Sequence, residues 1–172
     1  LLQHDMVERF LLHFYAMSAH GYTRGTWTTP ESSELADRDE PAQAYVVTAV
    51  HTVPIYLKWM LIFEELETKT LWLAKATPRD WLAAGEDPII VNNATTRYGR
   101  LSFSVQPPSS LSASAGGDGA AGGGVVYTVI VNVTAPSTFA TTAKPAGGLQ
   151  VRVRAPLEHA GKMSKVTIGG NV

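Results

Sequence analysis

The chain has 172 residues, enough for one ordinary domain or two small ones burying roughly two thirds of the unfolded surface. Charged residues make up 17% and the formal net charge is -1, so there is no basic field to neutralise a phosphate backbone, and nucleic acid is not expected as a partner. The absence of cysteine excludes disulfides, thiolate nucleophiles and zinc-thiolate sites together and leaves the redox compartment open.

The first residues, Leu1-Leu2-Gln3-His4, carry no initiator methionine, basic n-region or small-residue cleavage site. A helix is expected from about Gln3 to His20, stopping at Gly21, which tolerates the left-handed conformation that ends helices. Val7, Phe10, Leu11, Leu12, Phe14, Tyr15, Ala16 and Met17 make it apolar on almost every face, and such a helix must be surrounded by other elements. Either it packs on the sheet and a partner, or the sequence is the C-terminal piece of a larger protein. The second alternative is the expectation carried forward.

A polar loop, Tyr22 to Glu40, comes next. Asp39 or Glu40 as cap and Pro41 in the first turn open a second helix that is expected to reach about Glu67, kinked at Pro54. Its apolar part, Ala44 to Phe63, is as long as a membrane span. However, it holds His51, Pro54 and Lys58, and an ammonium near the middle of a span costs about 2.5–3.5 kcal/mol. The expectation is a buried barrel or bundle helix with no membrane partner.

After Leu71 the pattern changes from long apolar blocks to alternation. Leu71 to Ala76 reads as a strand, and Thr77-Pro78-Arg79-Asp80-Trp81-Leu82 as a short helical turn capped by Thr77 and ended by Gly85. Ile89 to Val91 and Leu101 to Val105 read as strands around a turn at Asn92-Asn93-Ala94-Thr95, with Leu101, Phe103 and Val105 on one face. The stretch Pro107 to Gly124 is Pro, Ser, Ala and Gly with one aspartate and reads as a disordered loop; no lysine or helix follows its glycines, so it is no phosphate cradle. Val125 to Val133 is apolar on both faces and is expected as a central strand; Val151 and Val153, then Lys165 to Ile168, supply the last two. About six strands with intervening turns suggest an antiparallel sandwich. The expected fold class is thus α+β, with helices in residues 1–70 and a β-sandwich in residues 71–172.

Several residues carry a resemblance. These are Thr23-Arg24-Gly25-Thr26 with Glu31, Leu71-Trp72-Leu73 with Ala76-Thr77-Pro78-Arg79-Asp80-Trp81-Leu82, and Asn93-Ala94-Thr95-Thr96-Arg97-Tyr98-Gly99 with Leu101-Ser102-Phe103. The closing Val151-Arg152-Val153-Arg154-Ala155-Pro156 and Val166-Thr167-Ile168-Gly169-Gly170 complete it. In this order the chain resembles the C-terminal end of six-hairpin glycosidases, the (α/α)6-barrel carbohydrate-active enzymes. The resemblance implies the last barrel helices followed by a β-sandwich, a carbohydrate substrate, no cofactor, and a partner in the preceding barrel helices of a parent chain. The Gly-rich insertion at Pro107 to Gly124 and the end at Val172 depart from the family pattern.

Glycoside hydrolysis needs two carboxyl groups across the scissile bond. Glu31 is the candidate for one of them, in a polar loop with Arg24 and Trp27; the alternative is a solvated loop residue after Pro30. Glu34, Asp37, Asp39 and Glu40 in the same loop read as surface charge or caps. Trp27 and Tyr22 offer flat faces for sugar rings, Arg24 a planar donor fork, and His20 a sugar-contacting group; alternatively the aromatics cover the helix end and Arg24 pairs with a loop carboxylate. His13, His20 and His51 lack a carboxylate at metal-ligand spacing, so no metal is expected. No Gly-x-Ser-x-Gly elbow supports a serine hydrolase. The sequons Asn93-Ala94-Thr95 and Asn132-Val133-Thr134 read as chance matches in a Thr-rich chain.

Overall fold

A computed structural model of the chain describes residues 1–20, 29, 46, 50–113, 125–140, 144–160 and 167. It is α+β and divides into two compact units, Leu1–Thr77 with Pro145–Arg152, and Pro78–Lys144 with Val153–Val172.

In the first unit a single 3-10 turn, Leu2–His4, precedes helix α1, Val7–His20. Asp5 takes a left-handed conformation with φ 56°. It breaks the expected helix from Gln3, so α1 starts at Val7. Val7, Phe10, Leu11 and Phe14, spaced as one helical stripe, are buried, whereas Leu12 and Tyr15 are exposed. Helix α2 runs Thr52–Leu61 with Pro54 in its first turn; Val50 before it is helical as well, and the expected start at Pro41 lies outside the described residues. Among the described residues no helix is long and apolar enough to cross a membrane.

The expected continuation of that helix to Glu67 is wrong. Ile62 is already extended, and strand β1, Ile62–Glu65, pairs antiparallel with β2, Thr70–Leu73. Glu64, Glu65, Leu66 and Glu67 are good helix formers, but a weak local preference yields when ladder bonds and burial of Ile62, Leu71 and Leu73 reward the strand. A third strand, β8, Leu149–Val151, lies parallel to β2, giving the order β1-β2-β8. Leu71, Leu73 and Met60 are completely buried and mark the core of this unit.

The approach to β8 is tight. Gly147 N–H donates to the Lys69 carbonyl at 3.0 Å, and a Cβ on Gly147 would overlap the Thr68 carbonyl oxygen and Thr70 Oγ1. Gly147→Ala is expected to cost about 3 kcal/mol. Its neighbour Gly148, with φ +86° and open space around it, would cost only the left-handed backbone on the same change, about 1–2 kcal/mol. Urea unfolding of the two variants checks the order; a milder Gly147→Ala would show that the β2–β8 junction yields readily.

In the second unit the 3-10 turn Arg79–Leu82 follows Pro78, which occupies the cap position with no side-chain cap bond, so Thr77 is not its cap. Arg79 Nη1 donates to the Ala155 carbonyl at 2.7 Å, and the Tyr127 hydroxyl donates to the Leu82 carbonyl. Strands β3, Ile89–Thr96, and β4, Gly99–Gln106, form a hairpin whose loop is Arg97-Tyr98. The expected turn at Asn92–Thr95 is instead a bulge. Val91 faces Phe103 and Ala94 faces Leu101, leaving Asn92 and Asn93 opposite Ser102 alone. Asn93 absorbs the extra residue with φ 53°, and its N–H donates to Ser102 Oγ at 2.8 Å. The bulge keeps apolar residues on both sides of it in phase, so Leu101, Phe103 and Val105 are all buried, as their alternation predicts.

Two short strands, β5, Ser112–Ala113, and β6, Val125–Val126, pair with each other. Part of the expected disordered loop is therefore ordered; residues 114–124 lie outside the described ones. Strand β7, Ile130–Thr134, pairs with β4 at the end of the order β3-β4-β7. The expected central strand is thus broken at Tyr127–Val129 and, among the described residues, ends as an edge strand with Ile130 56% exposed. Two apolar faces signal burial only if both are covered. The expected last strand at Lys165–Ile168 lies, except for Thr167, outside the described residues.

Candidate functional site

Glu31, Tyr22, Arg24 and Trp27 lie outside the described residues, as does the side chain of His20, whose backbone closes α1. The site legible in the structure is elsewhere, in the first unit. Its origin is the β1–β2 register. Phe63 lies directly opposite Trp72, so the two rings share one face of the sheet, while Ile62 and Leu73 share the buried one.

Charged groups close over those rings. Lys75, 2% exposed, holds its ammonium 4.6 Å from the Phe63 ring centre and 4.8 Å from that of Trp72. The Arg152 guanidinium, placed by the end of β8, lies 5.0 Å from the Trp72 ring. Arg152 also donates through Nη1 and Nη2 to both oxygens of Asp5, at 2.6 Å and 3.0 Å. Trp72 therefore carries two cations on its π faces, which attract positive charge, while its ring N–H donates to Glu65 Oε2 at 3.0 Å. That hydrogen bond holds the Glu65 carboxyl below its ordinary value, keeping it ionised. Burial pushes the Lys75 ammonium down from its ordinary 10.5, with the charges of Glu65 and Asp5 opposing.

The sign of the resulting pH dependence is fixed by linkage. Between its lowered folded value and 10.5, Lys75 binds more protons in the unfolded chain than in the folded one, so stability rises with pH across that window. Lys75→Met keeps the stem and removes the desolvated charge. It is expected to match or exceed the wild type in melting temperature at neutral pH, with the difference closing as pH approaches 10.5. A variant less stable at every pH would show that the contact with the two rings outweighs the cost of burying the charge.

Beside this array lies a cleft of about 460 Å³ that shares Phe63 with it and takes its other walls from the N-terminal turn, α1 and α2. Tyr56 and Trp59 stack there with ring centres 5.5 Å apart, and Phe10 meets Tyr56 edge to face at 6.1 Å. His13 and Gln3 also line it. His51 sits at the N-cap of α2 and is not among its lining residues. Among the described residues no group of three or more His, Asp or Glu could hold a metal ion.

The second unit offers less. Tyr127 stacks on His159 with ring centres 4.7 Å apart, and burial raises its phenol above the usual value. A recess of about 390 Å³ is walled by Pro107, Pro108, Ser109, Ser112 and Thr128.

Sequence reasoning missed the array because it placed Phe63 in a helix, where it cannot face Trp72. The signal available was the alternation Ile62-Phe63-Glu64-Glu65 before a turn and Thr70-Leu71-Trp72-Leu73 after it. Compared with known proteins, the chain matches no family model, no curated protein and no solved structure.

Proposed function

We propose that this chain is the C-terminal portion of a carbohydrate-active hydrolase of the six-hairpin glycosidase type, the closing helices of an (α/α) barrel followed by a β-sandwich. Its parent would hydrolyse a glycosidic bond with a pair of carboxyl groups and no cofactor, and the portion alone would be inactive. The observation that supports this reading is the outward face of the helices. Leu12 is 69% exposed, and Tyr15, Ile55 and Leu57 are exposed with it. Leu12, Tyr15, Ala16 and Ala19 fall on one side of α1, an apolar surface of the kind barrel helices bury against their neighbours.

A second reading has its own observation. Among the described residues the aromatic cleft takes all its walls from one unit, as a carbohydrate-binding module without catalysis requires. The test is the coding sequence upstream of Leu1, followed by assay of the longest natural chain on aryl glycosides. Helical hairpins upstream together with glycoside hydrolysis support the enzyme. A coding sequence without them removes it and leaves the module.

A further inference from the structure

We propose that the cleft beside Phe63 is a binding site for a neutral pyranose ring, a step that rests on the carbohydrate reading above. A pyranose has an apolar face of C–H groups and a rim of hydroxyls. It is recognised by flat aromatic surfaces flanked by donors and acceptors that have no other engagement. The cleft supplies both. Trp59, 44% exposed, and Tyr56 present the flat surfaces, with Phe10 and Phe63 behind them. Among the described residues, the Gln3 amide, the His13 imidazole, the Tyr56 hydroxyl and the Trp59 ring N–H have no hydrogen-bond partner. These four groups come from the N-terminal turn and from both helices, so they surround the space rather than line one edge.

Charge decides between ligand classes. Among the described residues, no Asp, Glu, Lys or Arg lines the cleft. The nearest fixed charges in the neighbouring array are already engaged, Arg152 by Asp5 and Trp72, and Lys75 by two rings. Among the described residues an acidic sugar or a phosphate would find no cation on the cleft wall, whereas a neutral ring needs none. A volume of about 460 Å³ lies within the range of about 300–1,000 Å³ typical of small-molecule sites. The face of α1 that lines the cleft, Phe10, His13 and Met17, is opposite the one bearing Leu12 and Tyr15, so a sugar here does not compete with helices packed on the other side.

The test is titration of the 172-residue chain with the methyl glycosides of glucose, galactose, mannose and xylose, with glucuronate and octanoate as comparisons. Tryptophan emission is followed, and the Trp59→Phe spectrum is subtracted to isolate Trp59 from Trp27, Trp72 and Trp81. Saturable binding of at least one neutral glycoside is expected, about tenfold weaker in Trp59→Ala and unchanged in Leu12→Ser. Trp59 and Leu12 are both exposed, so neither change threatens folding. The proposal is overturned if no neutral glycoside saturates, if octanoate or glucuronate binds in preference, or if Trp59→Ala binds normally. A blank titration beside glycoside hydrolysis by the longest natural chain would sink this site alone; a blank in both would sink the carbohydrate reading with it.

Discussion

Replacing Phe103 by Ala is expected to cost about 3–5 kcal/mol, the loss typical of emptying an aromatic site in a packed core. Phe103 is 3% exposed and central in β4, with Val91 opposite it on β3 and Val133 on β7. Leu101 and Val105 flank it on the same buried face and cannot collapse into the space without breaking the bulge register that positions them. Against a typical total stability of about 5–15 kcal/mol, the loss takes a large share. Urea unfolding followed by far-ultraviolet circular dichroism measures it. Ser104→Ala, one residue along on the half-exposed opposite face, should stay within about 0.5 kcal/mol. Similar losses for the two would mean that the inward and outward faces of β4 are not energetically distinct.

For Glu31, the expected result concerns turnover. If the carboxyl takes or gives the proton at a glycosidic bond, Glu31→Gln in the longest natural chain lowers kcat by about 10²–10⁴, because an amide of the same shape cannot exchange that proton. KM should hardly move, since the variant keeps the hydrogen-bonding outline of the site. An unchanged melting curve separates lost chemistry from lost folding. Turnover within a factor of a few of the wild type would return Glu31 to the solvated loop residue that its position after Pro30 also allows.

How far the sequence was readable depended on the range of the interaction that decided each element. The stripe Val7, Phe10, Leu11, Phe14 lies within two helical turns, and α1 forms over it. The alternation Leu101, Phe103, Val105 lies within one strand, and all three are buried. The errors came where pairing with a second segment overrode the local pattern. Ile62–Glu65 left the helix because Thr70–Leu73 offered it a ladder, and the hairpin turn moved to Arg97-Tyr98 because a bulge at Asn93 absorbed the misfit. The candidate site suffered most, since Asp5, Phe63, Trp72, Lys75 and Arg152 meet only after 147 positions of chain separate the first from the last.

By itself, then, the amino-acid order determined the absence of thiol chemistry, the α+β class, and which side chains of β4 turn inward. These follow from composition and from the 2-residue period of a single strand. Only the tertiary structure decided that Phe63 faces Trp72, that two cations share the Trp72 ring, and that His13, Tyr56 and Trp59 surround one cleft. Those contacts join residues of different elements, and pairing register and packing bring them together.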